Sequence, residues 1–435
     1  RRARSRTPVP GLNRLLLMLA RLTDLPFIVV LLGISALAMF VPAAHALVID
    51  DHPTSRSFFY AGILFLVLFT MSALATSNYR IRRQGRSHLI SILMAFVVLP
   101  AVLAVPVADA VPDTRVIKAY VEMVSSLTTT GLTLFEPDRL PDSVHLWRAF
   151  VGWLGGFFIW VSAIAIMAPL NLGGFEVTSA SEIGQGAVGA SSQISRVADP
   201  SERLVRFSIG LLPIYGGLTV ALWTALLIAG DTPLVALCHA MSTLATSGIS
   251  PLGGIEDTSS GLVGEGLVMI FLLFALSRLT FSPNEREEGW RSLIYDPELR
   301  LGLLIVVSLS MFLFFRHFAA SFEEGLEVTA NEGLIGLWGA IFTVTSFLTT
   351  TGFESAHWTT AQAWSGLGSP GVLLLGLAVF GGGVATTAGG VKLLRVYALY
   401  KHGMREMEKL VQPSSIGGAG QTARRFRRQG AYVAW

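Results

Sequence analysis

Eight long apolar blocks set the terms on which this chain can fold. They lie near residues 25–48, 57–77, 88–111, 146–170, 207–229, 262–282, 301–318 and 369–399, and each holds few charges. A helix of about 20 residues rises ~30 Å, the thickness of a bilayer's hydrocarbon core, so the blocks are long enough to span one. Only 14% of the 435 residues are charged, where soluble domains run near ~25%, which excludes an ordinary soluble enzyme. The predicted class is an all-α polytopic membrane protein. The single cysteine, Cys238, excludes an internal disulfide and a metal site built on several thiolates. The chain opens Arg1-Arg2-Ala3-Arg4 without a methionine and is expected to be a fragment. Its run from Leu25 to Val48 is too long for the h-region of a signal peptide and reads as the first span.

Charge sets the expected orientation. With the N-terminus inside, segments 1–24, 78–88, 171–206, 283–300 and 391–430 hold 25 of the 32 lysines and arginines, and Arg278 lies near the inner end of its span. Cytoplasmic loops collect such residues, so the assignment is self-consistent. Acidic residues gather on the other side, among them Asp50, Asp51, Asp138, Asp142, Glu323, Glu324, Glu327 and Glu332. An acidic outer mouth would concentrate cations, an effect that salt screens. The same bias also arises from membrane insertion alone, and the sequence leaves both readings open.

Three shorter apolar runs, about 116–128, 233–245 and 335–349, are too short to span and suit re-entrant helices. They end in a repeat: Ser125-Ser126-Leu127-Thr128-Thr129-Thr130-Gly131, Ser242-Thr243-Leu244-Ala245-Thr246-Ser247-Gly248 and Ser346-Phe347-Leu348-Thr349-Thr350-Thr351-Gly352. Each copy stands between an incoming and an outgoing span, so the unit is span, short helix, glycine-bearing loop, span. Non-helical backbone is tolerated at membrane depth only where it is buried in protein or lines a water-filled cavity. A short helix entering from outside aims its partly negative C-terminus at the membrane centre, where it favours a cation. The loop then offers consecutive carbonyl oxygens of the kind that replace a potassium ion's hydration shell, and glycine permits the backbone that aims them. The threonines either brace the loop through hydroxyl bonds or add oxygen ligands. A surface turn explains one such copy well, but three in matching register poorly.

These loops resemble those of the potassium transporter superfamily that includes the bacterial Trk and Ktr membrane subunits, and more specifically the TrkH type. Further matching stretches are Leu146-Trp147-Arg148-Ala149-Phe150 with Trp153-Leu154-Gly155-Gly156, then Leu237-Cys238-His239-Ala240-Met241-Ser242-Thr243, and Asp296-Pro297-Glu298-Leu299-Arg300. The resemblance covers nearly the whole chain and implies repeated span, pore-helix, span units around a central pore. It assigns a potassium-binding selectivity filter to Thr129, Thr130, Gly131, Thr246, Ser247, Gly248, Thr350, Thr351 and Gly352. Glycine in all three loops goes, in that family, with potassium as the transported ion, and no covalent cofactor is implied. The expected layout is a two-span extension over 1–87, pore repeats over 88–172, 203–283 and 298–400, and a basic cytoplasmic linker over 401–435 that runs into a missing fourth repeat.

A fourth glycine cluster differs in kind. Pro370 to Leu399 is 30 residues and would reach ~45 Å as one helix, so the small residues at its middle predict a break. Gly389 follows Gly352 by only 37 positions, which leaves no room for another span before a fourth filter. The resemblance implies an intramembrane gate carried by Gly381, Gly382, Gly383, Thr386, Thr387, Gly389 and Gly390, with Lys392 at its inner end. Close packing of small residues is the competing reading. A Walker loop is disfavoured, since Gly-Lys-Ser/Thr is absent and no strand precedes it.

The resemblance further implies a homodimer in the bacterial inner membrane with a TrkA-like cytosolic subunit that binds nucleotide; no nucleic-acid partner is expected. Arg424 to Arg428 suits anionic lipid or that partner. His239 reads as a packed polar residue, and Glu122 either faces outer water or tunes the pore field. The alternative function is an ion-coupled secondary transporter with broken helices and inverted repeats. Three loops entering from one side make the repeats parallel, which favours a pore, and no His, Asp or Ser constellation suggests an enzyme.

Overall fold

The structure is a computed structural model that describes residues 25–76, 84–167, 200–277, 296–324, 330–366 and 368–411. Most of the expected inner segments, Arg278, the linker beyond residue 411 and Arg424 to Arg428 lie outside the described residues. The described residues form helices and no strand. In chain order the helices are α1 Phe27–Ala38, α2 Phe40–Val48, α3 His52–Thr76, α4 Gln84–Ala110, α5 Val116–Leu127, α6 Asp142–Ser162 and α7 Pro200–Ala229. They continue with α8 Pro233–Ala245, α9 Gly261–Leu272, α10 Pro297–Glu324, α11 Ala330–Leu348, α12 Trp358–Ser365, α13 Pro370–Phe380 and α14 Leu393–Val411. Among the described residues six spans are long and apolar enough to cross a membrane: Phe27–Val48, His52–Thr76, Ile90–Ala110, Asp142–Met167, Arg203–Ala229 and Pro297–Arg316. The fold is all-α and polytopic.

Local chemistry explains where these helices begin and break. Pro233 and Pro370 open α8 and α13, where a missing N–H costs nothing. The first apolar run parts at Met39 because Pro42 has no N–H for the carbonyl four residues back. Pro100, Pro106 and Pro213 stay inside α4 and α7, as membrane helices allow.

Contacts divide the chain into two units, Arg1–Val124 with Val197–Gly210, and Ser125–Arg196 with Leu211–Trp435. In the first, Gly33 of α1 lets the Phe69 ring of α3 approach so closely that a Cβ there would sit 2.8 Å from it. Asp51 caps α3 by accepting the Thr54 N–H at 3.2 Å. Glu122, on α5, is buried at 1% exposure, so the reading that it faces outer water does not hold.

In the second unit α6 and α7 are joined by an aromatic stack. Trp153 and Tyr215 lie 4.9 Å apart, Trp153 Nε1 donates to Thr219 Oγ1 at 2.9 Å, and the Tyr215 hydroxyl donates to the Trp153 carbonyl. An apolar cluster of Leu276, Val306, Leu313, Val344, Leu348 and Leu377 binds α10, α11 and α13 together.

The sixth and eighth expected spans also depart from simple helices. The sixth runs as α9 and then tightens into a 3-10 turn, Leu273–Leu276, before Ser277 becomes extended. Its Ala275 carbonyl is taken by the Gly383 N–H at 3.0 Å, a tertiary bond in the place of a helical one. The eighth is broken between α13 and α14, as its excess length predicts. The third short helix, α11, is 19 residues and starts at Ala330 rather than near 335 as read from the apolar run, with Glu332 in its first turn.

Candidate functional site

The three short helices end in the same way. Thr129, Thr246 and Thr350 have φ of 54°, 51° and 59°, all left-handed, and Gly131, Gly248 and Gly352 two positions on have φ of 75°, 65° and 85°. Thr129 N–H donates to the Ser126 carbonyl at 3.0 Å and Thr130 N–H to Ser125 at 2.8 Å. Thr246 donates to Thr243 at 3.2 Å and Ser247 to Ser242 at 2.9 Å, while Thr350 donates to Phe347 at 3.1 Å and Thr351 to Ser346 at 2.8 Å. This is a Schellman cap made three times with threonine where glycine is usual. A β-branched residue in that conformation costs on the order of 1–2 kcal/mol, and such strain concentrates at functional sites.

The hydroxyls brace the loops. Thr128 and Thr130 pair through their Oγ1 atoms at 2.8 Å, and Thr349 and Thr351 do so at 3.0 Å. The second loop has Ala245 at the matching place, and Ser247 Oγ donates to Ser242 Oγ at 3.1 Å instead. Of the two roles the sequence left open for these side chains, bracing is the one these contacts occupy.

Adjacent loops meet through one repeated contact. A Cβ built on Gly131 would overlap the Ser247 carbonyl oxygen, and a Cβ built on Gly248 would overlap that of Thr351. Loop one therefore touches loop two as loop two touches loop three. The middle loop is the most enclosed, with Thr246 at 1% and Ser247 at 0% exposure. The outgoing helix α6 makes room in the same way, since a Cβ on Gly155 would overlap the Leu127 carbonyl oxygen at the end of α5. We expect Gly155→Ala to destabilise the protein by about 1–3 kcal/mol through overpacking. Thermal unfolding in detergent checks this against Gly217→Ala, where the described residues leave open space.

The segment between α13 and α14 closes on itself and reaches the end of α8 and the third loop. Its neck is tied by Val391 N–H to the Val379 carbonyl at 2.9 Å, Lys392 N–H to Phe380 at 3.0 Å and Leu393 N–H to Gly382 at 3.0 Å. A Cβ on Gly381 would overlap the Gly389 carbonyl oxygen, so the neck needs glycine. Thr387 Oγ1 donates to the Leu244 carbonyl at 3.0 Å, and Gly389 N–H donates to Thr350 Oγ1 at 2.6 Å. Thr386 Oγ1 stays within the loop on the Gly383 carbonyl, and Lys392 Nζ donates to the Ala388 carbonyl.

Sequence reasoning missed the anchor of this segment. Glu298, 1% exposed, accepts the Val384 N–H at 2.9 Å, and Asp296 caps α10 by accepting the Glu298 N–H at 3.1 Å. The only signal was an acid beside a proline at the inner end of a span. His239 is buried and hydrogen-bonded to Ser250 Oγ at 2.8 Å, as a packed polar residue should be. Among the described residues no group of three or more His, Cys, Asp or Glu side chains is placed to hold a metal.

The chain is similar to proteins named for potassium uptake. The chain is 30% identical over 406 residues to the Trk system potassium uptake protein TrkH of Vibrio parahaemolyticus, covering 89% of this chain and 76% of the relative. It is 31% identical over 398 residues to the TrkH of Salmonella typhimurium, covering 87% and 74%, and 27% identical over 409 residues to TrkG of Escherichia coli, covering 89% and 76%. The crystal structure of the potassium transporter TrkH from Vibrio parahaemolyticus superposes with a TM-score of 0.73 at 25% identity, over 94% of this chain and 81% of that one. No family model matches the chain.

Proposed function

Because the chain belongs to the Trk family of potassium uptake proteins, a transport family and not an enzyme family, we propose that it takes potassium into the cell through a carbonyl-lined filter. The filter is formed by Thr129 to Gly131, Thr246 to Gly248 and Thr350 to Gly352. The observation that carries this reading is the contact of a loop glycine with the next loop's carbonyl, made at Gly131 and again at Gly248. A contact that recurs in the same sense from one repeat to the next suits repeats related by rotation about a pore. Inverted repeats would pair unlike faces.

An ion entering from the acidic side sheds water at fixed carbonyls, which need no reorganisation to replace it. It then meets the segment 381–392, which we assign as the gate because its tip is hydrogen-bonded to the end of α8 and to the base of the third loop. The repeat boundaries near 88–172, 203–283 and 298–400, an inner-membrane location and a cytoplasmic N-terminus belong to the same proposal. So do a homodimer and a TrkA-like nucleotide-binding partner. The exposed Tyr400, Met404, Met407 and Leu410 interleaved with Lys401 and Arg405 on α14 support a partner or lipid headgroups at the inner face.

The test is the full-length protein in bacteria that lack potassium uptake, with its regulatory partner present. We expect growth restored at low potassium together with rubidium influx. A protein that reaches the membrane and restores neither would overturn the proposal.

A further inference from the structure

A buried carboxylate outside the filter reaches into the third loop. Glu265 lies in the first half of α9 with 1% of its surface exposed. Its Oε1 accepts the Ala356 N–H at 2.7 Å and the Ser355 hydroxyl at 3.0 Å. Its Oε2 accepts the same hydroxyl at 2.8 Å and the Trp338 Nε1–H at 2.7 Å. A carboxylate removed from water is tolerated only when its oxygens are fully engaged, and hydrogen bonds to a charged acceptor are the strong kind. Here every donor comes from the third repeat: Trp338 from α11, which leads into the loop, and Ser355 and Ala356 from the chain that leaves it.

Ser355 is itself held on several sides. Its N–H donates to Thr343 Oγ1 of α11 at 3.2 Å, and its Oγ accepts the His357 N–H at 3.1 Å. Only Phe353 and Glu354 separate it from Gly352, and Phe353, 1% exposed, meets the His239 ring edge-on at 5.7 Å. Three residues of chain leave little slack, so the place of Ser355 sets the place of the Thr351 and Gly352 carbonyls.

The other loops carry a hydroxyl two positions after the glycine, one earlier than Ser355 in the third, and hold it locally. Thr133 Oγ1 accepts the Phe135 N–H at 3.2 Å, and Ser250 is bonded to His239 and to the Gly254 carbonyl. In the third loop the hydroxyl is instead fixed by the outgoing helix of the preceding repeat.

We infer that Glu265 is a positioning residue for ion selectivity: through Ser355, Ala356 and Trp338 it fixes the third filter loop against α9. Glu265 does not touch the ion. This rests on the filter assignment above. Glutamine is nearly the same shape, but it exchanges one acceptor oxygen for an NH₂ that faces donors, so at least one of the three donors loses its acceptor and a donor opposes a donor.

The test measures rubidium and sodium influx and membrane abundance for the full-length protein carrying Glu265→Gln, Ser355→Ala, or both. We expect Glu265→Gln to lower the rubidium-to-sodium ratio about tenfold at unchanged abundance. Ser355→Ala should act in the same direction, with the double variant no worse than Glu265→Gln alone because both act through one network. A ratio within about twofold of the parent for Glu265→Gln overturns the inference; if that variant does not reach the membrane, an unchanged ratio in Ser355→Ala does so. Gly131→Ser measured alongside separates the two layers. A ratio lost there but kept in the others removes Glu265 and leaves the filter, whereas a ratio kept in all of them removes the filter assignment as well.

Discussion

Gly131→Ser and Gly248→Ser should each cost the protein its preference for potassium over sodium. At both positions the new Cβ would overlap a carbonyl oxygen of the next loop, Ser247 in one case and Thr351 in the other, so that carbonyl must move. The backbone adds strain, since φ of 75° and 65° suits glycine and disfavours serine. A carbonyl pushed out of a coordinating ring costs the fitted ion more than one that keeps part of its water. A differential loss of about 2 kcal/mol corresponds to a roughly 30-fold fall in the rubidium-to-sodium influx ratio. Influx of both ions in cells expressing each variant, normalised to protein in the membrane, gives that ratio, and an unchanged value would remove these loops from the filter.

Shortening the segment between α13 and α14 should act in the opposite sense, on flux and not on selectivity. Deleting residues 385–388 spares the neck bonds from Val391, Lys392 and Leu393, so both helices keep their junction. The deletion removes Thr387, whose hydroxyl bond ties the tip to the end of α8. We expect basal rubidium influx to rise about tenfold, equivalent to roughly 1.4 kcal/mol in the balance between closed and open states. Thr387→Val, which removes only the hydroxyl, should raise it several-fold. Influx unaltered in both variants would return the segment to the packing role that its small residues also suit.

The parts of this protein legible in one dimension are those that repeat or exceed a length limit. The copies ending at Gly131, Gly248 and Gly352 share register because each must form the same cap, and cap bonds link residues three to five apart. The break after Phe380 was legible because 30 apolar residues do not fit one span. Glu265 and Glu298 were not, because their partners lie 90 and 86 positions away and a lone acid in an apolar helix carries no mark of what it holds. The early tightening after α9 at Leu273 was hidden for the same reason, since the Gly383 N–H that takes the Ala275 carbonyl comes from farther along the chain.

By itself, the sequence determined the membrane class, the repeat and the glycines that the loops require. These depend on hydrophobic length, helix period and backbone sterics, all of them local. Only the tertiary structure decided that the threonine hydroxyls brace the loops, which loop touches which, and that two buried carboxylates hold the third loop and the segment between α13 and α14. Those outcomes depend on which donors and acceptors meet once water is excluded. Folding makes those pairings between residues far apart in the chain, where neither composition nor spacing records them.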